Sequence, residues 1–268
     1  MTISPNKWEL DVQGYLNLCN ISAATPRQQI RDFAKGVNDL GLWNSMVCWP
    51  LRSSQNYGSG TTAFSLGGLG TFNGTLVNGP TWDVDGSGVT FPNVGGVAQK
   101  YIEIVDGNSN VFAPQNTTFG AMAISKTGTS GRNDSFTKGG PSESLGNLCW
   151  GIRDSDATIQ GFVTNGSTFG SANAAGKAVG AFRSNVFSYN QATMSVRVNA
   201  ETAGTNSYTF NVQQVSNQYV RIGVGTPAGA GYNGTIAFAL FATGLSADKQ
   251  VDLYTLYKST LGTGLSLP

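Results

Sequence analysis

The sequence predicts a mainly β fold: an antiparallel two-sheet sandwich with an N-terminal helix and a short C-terminal helix. Three observations carry this. Short apolar runs recur about every ten residues from Met46 onward, several with strict apolar–polar alternation. Turn formers, Asn-Gly and Asp-Gly among them, separate the runs. Helical periodicity shows in only two places, one near each end of the chain.

In order, residues 1–24 show no clear period, yet Trp8, Leu10, Val12, Tyr15, Leu16 and Leu18 are apolar and costly to leave wet. They read either as an arm that docks elsewhere, an assembly contact, or as a first strand. A helix follows, with Thr25 as its N-cap, Pro26 at its first position and Gln28 completing a capping box. Ile30, Phe33, Ala34, Val37 and Leu40 share its apolar face, and Gly41 closes it as the C′ glycine. Residues 1–45 thus form a docking segment, and residues 46–268 form the sandwich and its closing helix.

Met46 to Leu51 is an apolar run that reads as a buried strand, and Ser53 to Gly74 is a long Gly/Ser/Thr-rich loop. The stretch that organises the chain is Asn73 to Phe91. It holds a strand, a turn at Asn78-Gly79-Pro80, a segment with Trp82, a turn at Asp85-Gly86, and a strand ending at Phe91. Strands are then expected at Tyr101 to Ile104, Thr117 to Ser125, Asn147 to Arg153 and Ala157 to Val163. The last two make a hairpin through Asp154-Ser155-Asp156. Further strands are expected at Ala178 to Arg183, Thr193 to Asn199, Tyr208 to Val212 and Tyr219 to Val224. Their alternation implies one buried and one wet face. Gly234 to Phe241 is apolar on both faces and reads as a central strand. The last helix starts from Ser246, presents Val251, Tyr254, Tyr257 and Leu261, and ends at Gly262.

At 268 residues the chain can bury a full core without staples. A net charge of +1 with no basic cluster argues against a nucleic-acid partner. No apolar run approaches the ~18–20 residues of a membrane span, and the N-terminus lacks the apolar core of a signal peptide. No membrane insertion is expected, and synthesis in the cytoplasm without export by a cleaved signal is. Cys19, Cys48 and Cys149 have neither metal nor redox spacing and read as buried free thiols. Asn-x-Ser/Thr triplets at Asn73, Asn116, Asn165 and Asn233 read as turn chemistry.

The sequence contains no histidine, which removes Ser-His-Asp and Cys-His nucleophile systems and His-ligated zinc. Gly176-Lys177 lacks the rest of a phosphate-binding loop, and the glycines around Leu69 lack the helix a dinucleotide fingerprint needs. Glycoside hydrolysis needs two positioned carboxylates. The four glutamates are Glu9, Glu103, Glu143 and Glu201. Glu103 with Asp106 is the nearest pair, and surface residues are the expected reading. Asp154 with Asp156, and Asp83 with Asp85, read as turn formers, because calcium needs about six or more oxygens. Trp82, Trp150, Tyr189 and Tyr232 lie near turns where a ring could stack on a sugar, and each reads first as packing. No catalytic residue, cofactor site or metal site is assigned.

Asn73-Gly74-Thr75-Leu76-Val77-Asn78-Gly79-Pro80-Thr81-Trp82, followed by Gly88-Val89-Thr90-Phe91, resembles the laminin-G-like or concanavalin A-like jelly-roll family. So do Thr118 to Ile124, and Tyr232 to Phe238 followed by Leu245-Ser246 and Leu253-Tyr254. The likeness covers roughly residues 46–258. The helix running into Leu40-Gly41-Leu42-Trp43 and Trp49-Pro50-Leu51, and the ending Leu253 to Lys258, are similar to flanks of tailed-phage virion proteins. The resemblance implies a non-enzymatic virion structural protein, of tail, fibre or decoration type, localised to the particle. Its lectin-like sandwich would face outward toward a host-surface glycan, and its partners would be other virion proteins and further copies of itself. The Glu-x-Asp-x-x-Glu strand of hydrolase relatives has no match here, nor does the family's calcium cluster. The alternatives are a free carbohydrate-binding lectin module and, behind it, a polysaccharide hydrolase.

Overall fold

The computed structural model describes residues 6–93, 98–105, 107, 109–114, 117–128, 133–139, 149–155, 158–164, 169–175, 180–209, 219–225 and 231–268. The chain opens with two helices, α1 (Lys7–Leu18) and α2 (Ala24–Asp39), and then enters the sheets. The strands are β1 (Met46–Pro50), β2 (Thr62–Ala63), β3 (Gly74–Val77), β4 (Thr81–Trp82), β5 (Val89–Pro92) and β6 (Tyr101–Ile104). Then come β7 (Phe119–Thr127), β8 (Asn133–Lys138), β9 (Cys149–Ser155), β10 (Thr158–Thr164) and β11 (Phe169–Ala175). The last are β12 (Arg183–Tyr189), β13 (Thr193–Val198), β14 (Gly204–Ser207), β15 (Val220–Ile222) and β16 (Asn233–Thr243), before α3 (Lys249–Ser259).

All the pairings are antiparallel and build two sheets. The first runs β14-β13-β12-β7-β16-β5-β4, with β1 also on β16; the second runs β11-β10-β9-β8-β15-β6-β3-β2. The long strand β16 carries two partners on one edge. Asn233 to Ile236 pair with β5, and Phe238 to Ala242 pair with β1, either side of an irregularity between Ile236 and Phe238. The sandwich core lies between the inner faces, where Trp150 stacks on Phe241 and meets Phe119 and Phe136.

A second apolar layer covers the outer face of the first sheet. Met122, Ile124, Val186, Phe238 and Leu240 pack there against Val12, Tyr15, Phe33, Val37, Leu253 and Tyr257 of the three helices. The architecture is therefore helices, sheet, sheet. This corrects the expectation of a wet face on the first sheet. Ser188 and Ser195 look outward yet are buried, because Gln250 of α3, itself fully buried, binds both.

Residues 7–18 are a helix, neither a shapeless arm nor a strand. Trp8, Val12, Tyr15, Leu16 and Cys19 share a face, and the Glu9 carboxylate accepts from the Asn6 amide at 2.7 Å. Exposed Leu10 and Leu18 on the other side hide that period in the sequence. The helix ends on Asn20 at φ 53°, with Ile21 N–H bonded to the Leu16 carbonyl. Helix α2 ends in the same motif at Gly41, φ 69°, as expected. It starts two residues early, however: Ala23 is the cap, and Gln28 binds Asp32 rather than closing a capping box. Ser246 gives its carbonyl to Lys249 N–H in a preceding turn, so α3 starts from Asp248 instead.

The organising stretch changes sheets. Asn78 and Gly79, at φ 60° and 79°, turn the chain from β3 in the second sheet to β4 in the first. The Asp85-Gly86 turn then closes the β4–β5 hairpin. Strands β8, β11 and β14 lie outside the expected set, and a strand begins at Arg183 rather than ending there. The expected loop after Ser53 contains β2, and residues 210–212 lie outside the described residues.

Candidate functional site

With helices over the first sheet, the outer face of the second sheet is the one that turns its own side chains outward. Strand alternation fixes which those are. Ile102 and Ile104 point inward, so Tyr101, Glu103 and Val105 point out. In the neighbouring strand Val220 and Ile222 point inward, and Tyr219 and Arg221 point out. Register sets Arg221 directly opposite Glu103. The Arg221 Nε lies 3.3 Å from the Glu103 carboxylate. Its guanidinium sits 5.7 Å from the Tyr101 ring centre and 5.2 Å from that of Tyr219. One cation thus holds two rings and a carboxylate in place. Burial pushes the Tyr101 phenol above its ordinary value, with Glu103 adding to the rise. Tyr219 is 42% exposed and Val105 50%.

The far side of this face carries a second arginine–aromatic group. The Arg153 guanidinium lies 5.0 Å from the Phe162 ring, which stacks on half-exposed Phe169. Arg153 also binds Asp134 at 2.8 Å and Gln160 at 3.0 Å, on the strands to either side. The middle of the face, at Thr137 and Phe162, is buried.

Between the sheets, one end of the core is polar. Arg183 forms an ion pair with Asp154 and bonds Thr127, while Asn185 bonds Ser125. Both charged side chains are almost fully buried. Burial raises the Asp154 carboxyl against the pull of Arg183, and it drives the neighbouring Tyr232 phenol far up. Asp154 was expected to shape a turn. It is instead the next-to-last residue of β9, facing inward in the row of Trp150 and Ile152.

The remaining candidates are accounted for as follows. Asp106, Glu143, Asp156 and Gly176-Lys177 lie outside the described residues. Asp83 accepts from Ser87 and Thr235, and Asp85 accepts from the Ser87 amide, so both shape the β4–β5 turn. Trp150, Tyr189 and Tyr232 are core residues; Trp82 is half-buried against it. The three cysteines are free and buried. Among the described residues, no group of three or more acidic, Cys or His side chains is placed to hold a metal. No described helix is long and apolar enough to cross a membrane. The Tyr101–Arg221–Tyr219 cluster was not singled out beforehand, since its members lie over a hundred residues apart and only register joins them.

No protein-family model matches the sequence, and no curated protein matches it significantly. Solved structures do. A mutant of Trypanosoma rangeli sialidase displaying trans-sialidase activity superposes with a TM-score of 0.59 at 14% identity, over 88% of this chain and 39% of that one. Botulinum neurotoxin type C, whose cell entry depends on interaction with two ganglioside molecules, gives 0.58 at 11% identity, over 81% and 52%. The binding domain of botulinum neurotoxin DC, in complex with SialylT, gives 0.54 at 8% identity, over 81% and 52%. This chain thus spans between about two fifths and about a half of those chains. At such identities the likeness establishes the fold alone, a two-sheet β-sandwich.

Proposed function

We propose that this protein is a non-catalytic, lectin-like module that binds a glycan on the outer face of its second sheet. The observation that carries the reading is Arg221 held between Tyr101 and Tyr219 and paired with Glu103. Ring faces pack on the C–H faces of a sugar, and a carboxylate accepts its hydroxyls. Because Arg221 fixes all three groups beforehand, little side-chain entropy is lost on binding. Neurotoxin binding domains with this fold, described with a ganglioside or SialylT, add support by analogy of architecture.

The test is a glycan array probed with the wild-type protein and with Tyr219→Ala. The expected result is a wild-type signal that the variant weakens at least tenfold, about 1.4 kcal/mol. A silent wild-type array would end the proposal. Equal binding by the variant would move the site elsewhere.

A second reading adds display on a virion surface. It is favoured by the flank resemblance and by α1, which leaves Leu10 and Leu18 exposed at 58% and 51% and carries a 370 Å³ groove lined by Trp8, Leu10 and Arg31. Imaging of particles with and without this gene would decide it, and unchanged particle density would rule it out.

A further inference from the structure

A separate cleft opens where the helical layer meets the loop after β1. It has a volume of about 420 Å³, in the range of small-ligand sites, and Asn20, Ser22, Ser53, Ser54, Tyr57 and Ser59 line it. Not one Asp, Glu, Lys or Arg is among its lining residues. The remaining lining side chains are those of Cys19, Ile21, Ala23, Pro26 and Asn56. Burial pushes the Cys19 thiol up to about 12, so it too is neutral at neutral pH.

The wall carrying Tyr57 is built to stay in place. The buried Asn56 amide makes four hydrogen bonds: it donates to the Pro50 and Phe64 carbonyls and accepts from the Tyr57 and Phe64 amides. Tyr15 of α1 donates to the Gln55 carbonyl at 2.6 Å, and Gln55 in turn binds the Leu261 carbonyl. Arg52 ties the start of the loop to the carbonyls of Gly86, Leu261 and Thr263. Gly58, at φ 71°, packs so closely on Ser53 that a Cβ there would sit 2.7 Å from the Ser53 carbonyl. The Tyr57 ring is braced edge-to-face by Phe64 at 6.1 Å, and it remains 52% exposed.

Hydrogen-bonding groups come from both walls. Ser54 and Ser59 of the loop and Ser22 of the helical side are exposed, and α2 begins at Ala24 with no side-chain cap, which leaves first-turn amides to be satisfied from outside. A rigid ring that is half wet, hydroxyls that donate and accept, and a neutral lining are complementary to one chemistry: an uncharged polyhydroxylated ring.

We propose that this cleft is a second carbohydrate site, selective for neutral pyranosides, with Tyr57 as the stacking platform and the serine hydroxyls as hydrogen-bond partners. The site is formed by the helical layer and the loop after β1, and it does not depend on the second sheet.

The test uses the full chain, labelled with nitrogen-15. Its amide spectrum is followed during titration with methyl β-D-galactopyranoside, methyl α-D-glucopyranoside and N-acetylneuraminic acid. At least one neutral glycoside is expected to move the amides of Ser53, Tyr57 and Ser59 saturably, while the charged sugar leaves them in place. Tyr57→Ala should weaken that binding at least tenfold, and Tyr57→Phe should keep it, because the ring and not its hydroxyl does the stacking. An unchanged Phe spectrum outside the loop controls for folding. Absence of cleft shifts with either neutral glycoside, or equal response to the charged sugar, overturns the proposal. The amides of Tyr101, Glu103 and Arg221 report the second-sheet site in the same spectra, so the two readings fail independently.

Discussion

Replacing Phe33 with alanine should destabilise the whole protein, because α2 is part of the packed core. Phe33 is 0% exposed and meets Phe238 of β16 edge-on at 5.5 Å and Tyr257 of α3 at 6.4 Å. A buried Phe→Ala change costs about 3–5 kcal/mol. The two ring contacts, worth roughly 0.5–1.5 kcal/mol each, are lost with the side chain and place the expectation in the upper half of that range, about 4 kcal/mol. That is a large share of the ~5–15 kcal/mol a domain holds. For a chain of this size it lowers the melting temperature by about 8–16 °C. Urea unfolding should be followed by tryptophan fluorescence and by far-ultraviolet circular dichroism. Trp8 and Trp43 report on the helical layer, and Trp49, Trp82 and Trp150 report on the sandwich. The two probes should move together, with a lower midpoint and an unchanged slope. A loss under about 1 kcal/mol, or an early helical transition with the sandwich intact, would refute the reasoning and make residues 6–45 a detachable arm.

Two further predictions concern the core itself. Burial raises the Asp154 carboxyl in the folded state above its ordinary value. The folded protein therefore holds that proton more tightly than the unfolded chain, and the ionised form is penalised as pH rises through the raised value. Stability of the wild type relative to Asp154→Asn should fall as pH climbs from the ordinary carboxylate value into that window, then level off; a relative gain over the same range would show that Arg183 outweighs desolvation. At the edge where β14 meets β11, a Cβ on Gly204 would lie 1.6 Å from the Asn173 carbonyl oxygen. Gly204→Ala should cost about 1–3 kcal/mol, read from urea midpoints, and an unchanged midpoint would mean the sheets part freely there.

What could be read in the sequence follows from how many neighbours each segment needs. Ile102 and Ile104 alternate with outward Tyr101 and Glu103, and Met194, Val196 and Val198 alternate likewise, so a single strand announces its own buried face. Strand β8, Asn133 to Lys138, does not. Its one apolar residue is Phe136, while Asn133 joins the polar end of the core and Asp134 and Thr137 face out. After Phe169, strand β11 is built from Gly, Ala, Ser and Asn, small because the opposite sheet comes close: a Cβ on Gly170 would strike Tyr208 at 2.6 Å. Helix α1 did carry a signal, Asn6 three residues before Glu9, but Leu10 and Leu18 blurred its apolar stripe. The groups of the two proposed sites are illegible for a different reason. Tyr101 and Arg221 meet only through the β15–β6 register, and the Tyr57 wall depends on bonds from α1 and from the chain after α3.

The disposition of the described carboxylates bears on the proposal of binding rather than hydrolysis. A glycosidase needs one carboxylic acid to give up a proton and a second group to attack or to activate water, about 5–9.5 Å away across an open sugar. Among the described residues of the sandwich, four carboxylates are committed elsewhere. Asp83 accepts two hydroxyls in its turn, Asp134 is held by Arg153, Asp154 is locked with Arg183 between the sheets, and Glu103 is paired with Arg221. Freeing Asp134 or Asp154 for chemistry would strand a buried cation, a loss of about 3–5 kcal/mol before any barrier was lowered. Glu103 and Asp83 are only partly buried, and the Glu103 side chain is 32% exposed. There the arginine that stacks the two tyrosines also engages the carboxylate, its Nε 3.3 Å away. A carboxylate engaged in this way would have to leave its arginine before it could pass a proton to a glycosidic oxygen.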